Sequence, residues 1–179
     1  MNVLGTPLSG LLLVEPRSVG DERGALIETY HALRYPEQGV SAVLVFDLLT
    51  HSTKGTIRGL HFQEPRPQGK LVQVVHGAVF DVAVDIRRDS PTFGKWFSVE
   101  LSHENMRQLW IPSGFAHGFC VLSATASVHY KLTDYYVPEA ARTIRWNDPD
   151  LAIPWPELHP ILSEKDAGAL LLSAQPILP

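Results

Sequence analysis

Gly59-Leu-His-Phe-Gln63 and Pro112-Ser-Gly-Phe-Ala-His117 are two short apolar stretches, each carrying one histidine, in a chain that otherwise reads as strand after strand. Runs over 41–49, 56–62, 70–76, 78–86, 96–101, 107–111, 115–122 and 126–136 are dense in Val, Ile, Phe, Tyr and Thr, and most are bounded by Gly, Pro, Ser or Asn. Within 78–86, Phe80, Val82, Val84 and Ile86 share one face and Asp81 and Asp85 the other. No central stretch has a long amphipathic helical period. So many short, turn-punctuated strands predict an all-β sandwich or barrel, and the count fits a jelly roll. Short peripheral helices are expected over 28–33, 102–106 and 163–171, the last with Ser163 as N-cap and Asp166 three residues on.

A length of 179 residues suits one domain over 1–179. The Pro-rich stretches 65–67, 149–156 and 176–179 read as loops and a tail. A hydrophobic content of 45% and a charged content of 19% are globular values. The formal net charge of −4 leaves no basic footprint for nucleic acid, although a few placed Arg and Lys residues suffice for a small anion. The one cysteine, Cys120, lies in an apolar run, which favours a buried, inert thiol and a reducing compartment. The apolar run 11–14 is too short to span a membrane and lacks the basic flank of a secretory signal. A cytoplasmic protein without a membrane partner is expected.

The two histidine stretches resemble the paired signatures of a cupin barrel with the metal chemistry removed. A metal-binding cupin carries His-x-His and a carboxylate in the first signature, whereas here His61 is followed by Gln63. His61 and His117 alone are a poor ligand set, because metal sites usually need three or more protein ligands. No metal and no cofactor are expected, and a histidine kept in the barrel mouth points to proton transfer.

Four residues are candidates for that chemistry. His61 reads as a base or as a satisfied barrel residue. A buried Asp166 would fix the tautomer of His61 and raise its basicity, or else serve only the helix cap. Tyr130, a phenol of pKa ~10, is a proton donor if placed opposite a base, or a barrel-wall aromatic. Lys70 can set an ammonium beside a developing enolate oxygen, or lie solvated at a strand end. On an ideal strand Ile57, Gly59, His61 and Gln63 face one way and Arg58, Leu60 and Phe62 the other. Arg58 then shares a site with His61 only if Gly59 allows a bulge.

The stretches 54–63, 70–77, 79–87, 90–96, 107–119 and 130–136, with Trp146-Asn-Asp-Pro149, together resemble the dTDP-4-dehydrorhamnose 3,5-epimerase family over nearly the whole chain. The resemblance implies a cupin jelly-roll homodimer that epimerises a nucleotide-linked 4-keto-6-deoxy sugar, in the supply of dTDP-L-rhamnose, without metal or cofactor. By the same resemblance His61 is the base, Asp166 its orienting partner, Tyr130 the acid on the opposite face, and Lys70 the enolate stabiliser. Arg23, Arg58 and His117 contact the diphosphate or sugar, Glu28 the nucleotide, and Lys165 the ligand, while Tyr136 stacks on the base. The N-terminal segment completes the partner's sheet or site.

Several recognition positions depart from the family pattern. Phe46 and Leu48 stand where polar side chains are usual, Leu26 replaces a Phe, Ala141 replaces a frequent Glu, and Gln73 and His76 stand where Arg is common. Each lost polar contact weakens binding by roughly 0.5–1.5 kcal/mol. Three other readings follow: a single-centre epimerase of another nucleotide-linked keto sugar, a metal-dependent cupin, against which Gln63 argues, and a non-catalytic sugar-nucleotide binder, against which the retained His61, Lys70, Tyr130 and Asp166 argue.

Overall fold

A computed structural model of the chain describes residues 1–40 and 43–176. Its strands are β1 (Asn2–Gly5), β2 (Leu12–Glu15), β3 (Arg17–Asp21), β4 (Gly24–Glu28), β5 (Phe46–Thr53), β6 (Ile57–Gln63), β7 (Lys70–His76), β8 (Ala78–Asp85), β9 (Trp96–Ser102), β10 (Gln108–Ile111), β11 (Phe115–Val121), β12 (Thr125–Leu132) and β13 (Ala141–Thr143). Two one-turn helices, α1 (Arg34–Glu37) and α2 (Glu164–Ala167), lie between and after them. A six-stranded sheet runs β1-β2-β10-β7-β12-β5, a five-stranded sheet runs β13-β6-β11-β8-β9, and β3-β4 form a separate hairpin.

The strand pairs within these sheets are antiparallel, so alternate residues of each strand face the space between the sheets. Val72 and Val74 of β7, Val128 of β12, Val79 and Ala83 of β8 and Phe115 and Phe119 of β11 fill one core there. The outer face of the five-stranded sheet carries Ile57, Leu60, Phe62, Val82, Val84 and Cys120 under Leu151, Ile153, Trp155 and Leu172. Val14, Tyr35, Val40, Leu71 and Trp110 form a third cluster on the other outer face. Burial pushes the Cys120 thiol up to about 11, as suits an inert core thiol.

The expected strands are present with small changes at their ends. The run 41–49 becomes a strand only from Phe46, positions 41 and 42 lying outside the described residues, and the run 126–136 stops at Leu132. The peripheral helices needed correction. Residues 24–28 pair with 17–21 as a hairpin, so Glu28 ends a strand, and the helical turn comes later, where His31 Nδ1 accepts from the Leu33 and Arg34 N–H groups. Over 102–106 the Asn105 side chain accepts from the Ser102 and Arg107 N–H groups, and Met106 takes φ +52°, which together hold a turn. Ser163 Oγ caps α2 by accepting from Asp166 N, but the helix ends at Gly168 because Leu170 then bridges to Ile144 in extended conformation.

Candidate active site

β6 is the element on which the site depends. Across from β11, His61 pairs with His117 and Arg58 pairs with Phe119, so β6 spends one residue more than β11 between the two pairs. That extra residue is the bulge at Gly59. It sends Ile57, Leu60 and Phe62 to the outer core while Arg58, His61 and Gln63 turn inward, which corrects the ideal-strand grouping of Ile57 with His61. Gly59 takes φ +131°, and a Cβ there would lie 2.5 Å from Gly118 Cα, so only glycine fits.

The inward residues open onto a cavity of about 330 Å³ between the sheets. His61, Asp166, Tyr130, Lys70, Arg58, His117, Tyr136 and Lys165 all line it. His61 and Arg58 come from the five-stranded sheet, and Tyr130 and Lys70 from the six-stranded sheet opposite. Arg23 and Glu28 are not part of this cavity within one chain. Arg23 is 85% exposed at the tip of the β3–β4 hairpin, paired with Asp21, and Glu28 is paired with Arg34.

His61 Nε2 lies 2.6 Å from Asp166 Oδ1, with 40% of the histidine side chain exposed and the carboxylate buried. Burial raises the Asp166 pKa, but the bonds from His61, Ser163 and the Gly59 N–H outweigh it and hold the group below its ordinary value. Asp166 therefore stays anionic beside the imidazole. His117 is a second buried pair, its Nε2 2.9 and 3.0 Å from the two oxygens of Asp81. Burial lowers the His117 pKa further than Asp81 raises it, favouring the neutral ring. The His117 ring also meets the Tyr130 ring edge-on, centroids 5.9 Å apart.

Tyr130 is held as the neutral phenol by burial first and by the Asp81 charge second, with Thr50 and Arg58 offsetting only part. Lys70 Nζ donates to the His61 carbonyl at 3.1 Å, and burial lowers its pKa to about 8 despite the attraction of Asp81. A poorly hydrated cation thus reaches from the sheet that carries the phenol to the backbone of His61 on the facing sheet. Arg58 Nε donates to Ser52 Oγ at 2.9 Å, which aims the guanidinium along the wall.

Gln63, the residue in place of a cupin ligand, is committed elsewhere. Its Nε2 donates to the Arg66 and Tyr135 carbonyls and its Oε1 accepts from Val137 N, clamping the loop that carries Tyr136. Among the described residues no three His, Cys, Asp or Glu side chains gather as a metal ligand set. Leu48 and Ala141 line the cavity, and Phe46 packs its ring 6.1 Å from Tyr135.

Asp81, Thr50, Ser52 and Arg142 belong to or support this site and were not singled out from the sequence. Asp81 was signalled only as a polar position alternating with the apolar face of β8. Its contact with His117 runs diagonally across the β8–β11 pair, where Asp81 stands opposite Phe119 and Ala83 opposite His117.

The sandwich and its histidine-lined mouth are of the cupin type. A sequence profile of dTDP-4-dehydrorhamnose 3,5-epimerase matches residues 5–174. The chain is 52% identical over 168 residues to the dTDP-4-dehydrorhamnose 3,5-epimerase of Shigella flexneri, covering 93% of each chain. It superposes with TM-score 0.94 on the crystal structure of the dTDP-6-deoxy-D-glucose-3,5-epimerase of Legionella pneumophila in complex with dTDP-4-keto-L-rhamnose, at 53% identity over 97% of this chain and 93% of that one. A more distant relative, 38% identical over 93% of this chain and 81% of its own, is the dTDP-4-dehydrorhamnose 3-epimerase of Streptomyces niveus. The chain belongs to the dTDP-4-dehydrorhamnose 3,5-epimerase family. No helix among the described residues is long and apolar enough to cross a membrane.

Proposed function

We propose that this protein epimerises dTDP-4-dehydro-6-deoxy-D-glucose at C3 and C5, giving dTDP-4-dehydro-L-rhamnose for dTDP-L-rhamnose synthesis. The observation that carries the reading is the His61–Asp166 couple on one wall of the cavity with Tyr130 on the opposing wall. The C4 ketone acidifies the protons at C3 and C5. Neutral His61, oriented by Asp166, takes a proton from one face and leaves an enolate. The Lys70 ammonium stabilises the enolate oxygen, and Tyr130 delivers its proton to the other face, inverting the centre. Every step is a proton transfer, so the reaction asks for neither metal nor redox cofactor.

Arg58, His117 and Lys165 bind the sugar and diphosphate in this reading, and Tyr136 stacks on the base. Arg23 and Glu28 reach the site from a second copy. The β3–β4 hairpin stands away from its own chain, with Val19 59% and Leu26 78% exposed, and needs cover. Leu49 and Val75 stand exposed on the outer sheet face near the β5 edge, where a partner would pack. The working unit proposed is a cytoplasmic homodimer, each chain forming one cupin domain over residues 1–179.

The test is to supply dTDP-4-dehydro-6-deoxy-D-glucose and trap the product with a stereospecific reductase. The expected product has the L-lyxo configuration, inverted at both carbons. A product inverted at C3 alone would favour the second reading, a single-centre epimerase, which the Streptomyces niveus relative and the apolar Leu48 and Ala141 support.

A further inference from the structure

On β5 the register with β12 sets Thr50 opposite Val128 and Leu48 opposite Tyr130. Thr50 is therefore the diagonal neighbour of Tyr130 on the cavity face, a separation within reach of a long aromatic side chain. Its Oγ1 is buried and has no hydrogen-bond partner among the described residues. It lies near enough to favour the Tyr130 phenolate, yet outside hydrogen-bond geometry. A valine would fill this wall position without leaving a hydroxyl desolvated. The neighbouring hydroxyl on β5, Ser52, is already engaged with Arg58.

We propose that Thr50 is a positioning residue for Tyr130, its hydroxyl donating to the phenolate oxygen formed when Tyr130 hands its proton to the substrate. This rests on the reading of Tyr130 as the acid. In that step the Tyr130 O–H bond breaks and a C–H bond forms at the enolate carbon. The C4 carbonyl is restored, and the negative charge passes from the enolate oxygen to the phenolate. Thr50 meets that charge at the moment it appears, and a hydrogen bond to a charged oxygen is the stronger kind.

The experiment follows the reaction in D₂O and compares inversion with isotope exchange that retains configuration. His61 can return a deuteron to the face from which it took the proton, whereas inversion requires Tyr130. Thr50→Val is expected to lower the ratio of inversion to retained exchange about tenfold with KM within about twofold, and Thr50→Ser to restore it. Tyr130→Phe is expected to lower the ratio further, with no additional fall in the double variant. An unchanged ratio in Thr50→Val alongside a lowered one in Tyr130→Phe overturns the proposal and leaves the acid assignment standing. A raised KM with an unchanged ratio overturns it as well, making Thr50 a binding contact. An unchanged ratio in Tyr130→Phe removes the acid assignment, and the proposal with it.

Discussion

His61 must be both held and reachable. Asp166 holds one ring nitrogen at 2.6 Å, and the 40% exposure of the side chain leaves the rest of the ring open to the cavity. His61→Ala is expected to lower turnover at least ~10³-fold with little change in melting temperature, because it removes the base and no core contact. Asp166→Asn keeps the shape of the partner but not its charge, and kcat should fall about 10–100-fold with KM little altered. Lys70 makes a prediction in pH. Its pKa of about 8 means that the ammonium is present at neutral pH and lost above about 8, so kcat should fall on that alkaline side. The same shift acts on stability. Between about 8 and the ordinary lysine value of ~10.4 the unfolded chain holds the extra proton, so stability should rise with pH across that window, and the cost of burial is in full force below it. Lys70→Met should therefore raise stability at pH 7 by about 1–2 kcal/mol while abolishing most activity, as melting curves and initial rates would show. The proposed proton-transfer residues were legible as residue types in an ordered set of motifs. Asp81 was not, since an acid alternating with apolar residues looks like a solvated face until strand pairing brings His117 to it as a diagonal neighbour.

At the scale of the element, β6 shows how one glycine changes the use of a strand. An unbulged β6 would turn Arg58 away from the cavity that His61 faces, and the extra residue at Gly59 brings both to it. Gly59→Ala is expected to destabilise the fold by ~3 kcal/mol or more, because the added Cβ meets Gly118 Cα at 2.5 Å and the backbone sits at φ +131°. Denaturant unfolding would measure the loss. The bulge could be anticipated from sequence because Arg58 and His61 differ in parity around a glycine. The helices could not be placed so well. The polar, Leu-containing stretch 28–33 has helical composition, yet residues 24–28 are claimed by antiparallel pairing with 17–21, which local propensity does not register. The extent of 163–171 failed for a related reason, the bridge between Leu170 and Ile144 overriding continuation past Gly168.

For the whole molecule, the sandwich supplies what inversion demands: two opposed walls, with His61 on the five-stranded sheet and Tyr130 on the six-stranded sheet. Arg23 and Glu28, proposed above to reach the site from a second copy, do not line the cavity of their own chain and are paired there with Asp21 and Arg34. Light scattering is expected to give twice the chain mass. Mixing inactive Arg23→Ala and His61→Ala proteins, after subunit exchange, should recover about a quarter of wild-type activity, because half the molecules are mixed and one of their two sites is intact. No recovery, with exchange demonstrated, would place Arg23 in its own chain's site or in none. The central claim is proton transfer by His61 across this cavity to and from the carbons flanking a ketone. It is tested most directly by proton NMR of dTDP-4-dehydro-6-deoxy-D-glucose in D₂O with the wild-type protein and with His61→Ala. The account predicts enzyme-dependent loss of the C3 and C5 proton signals with the wild type and none with the variant. Signals that persist with the wild type, or vanish equally fast with His61→Ala, would contradict it.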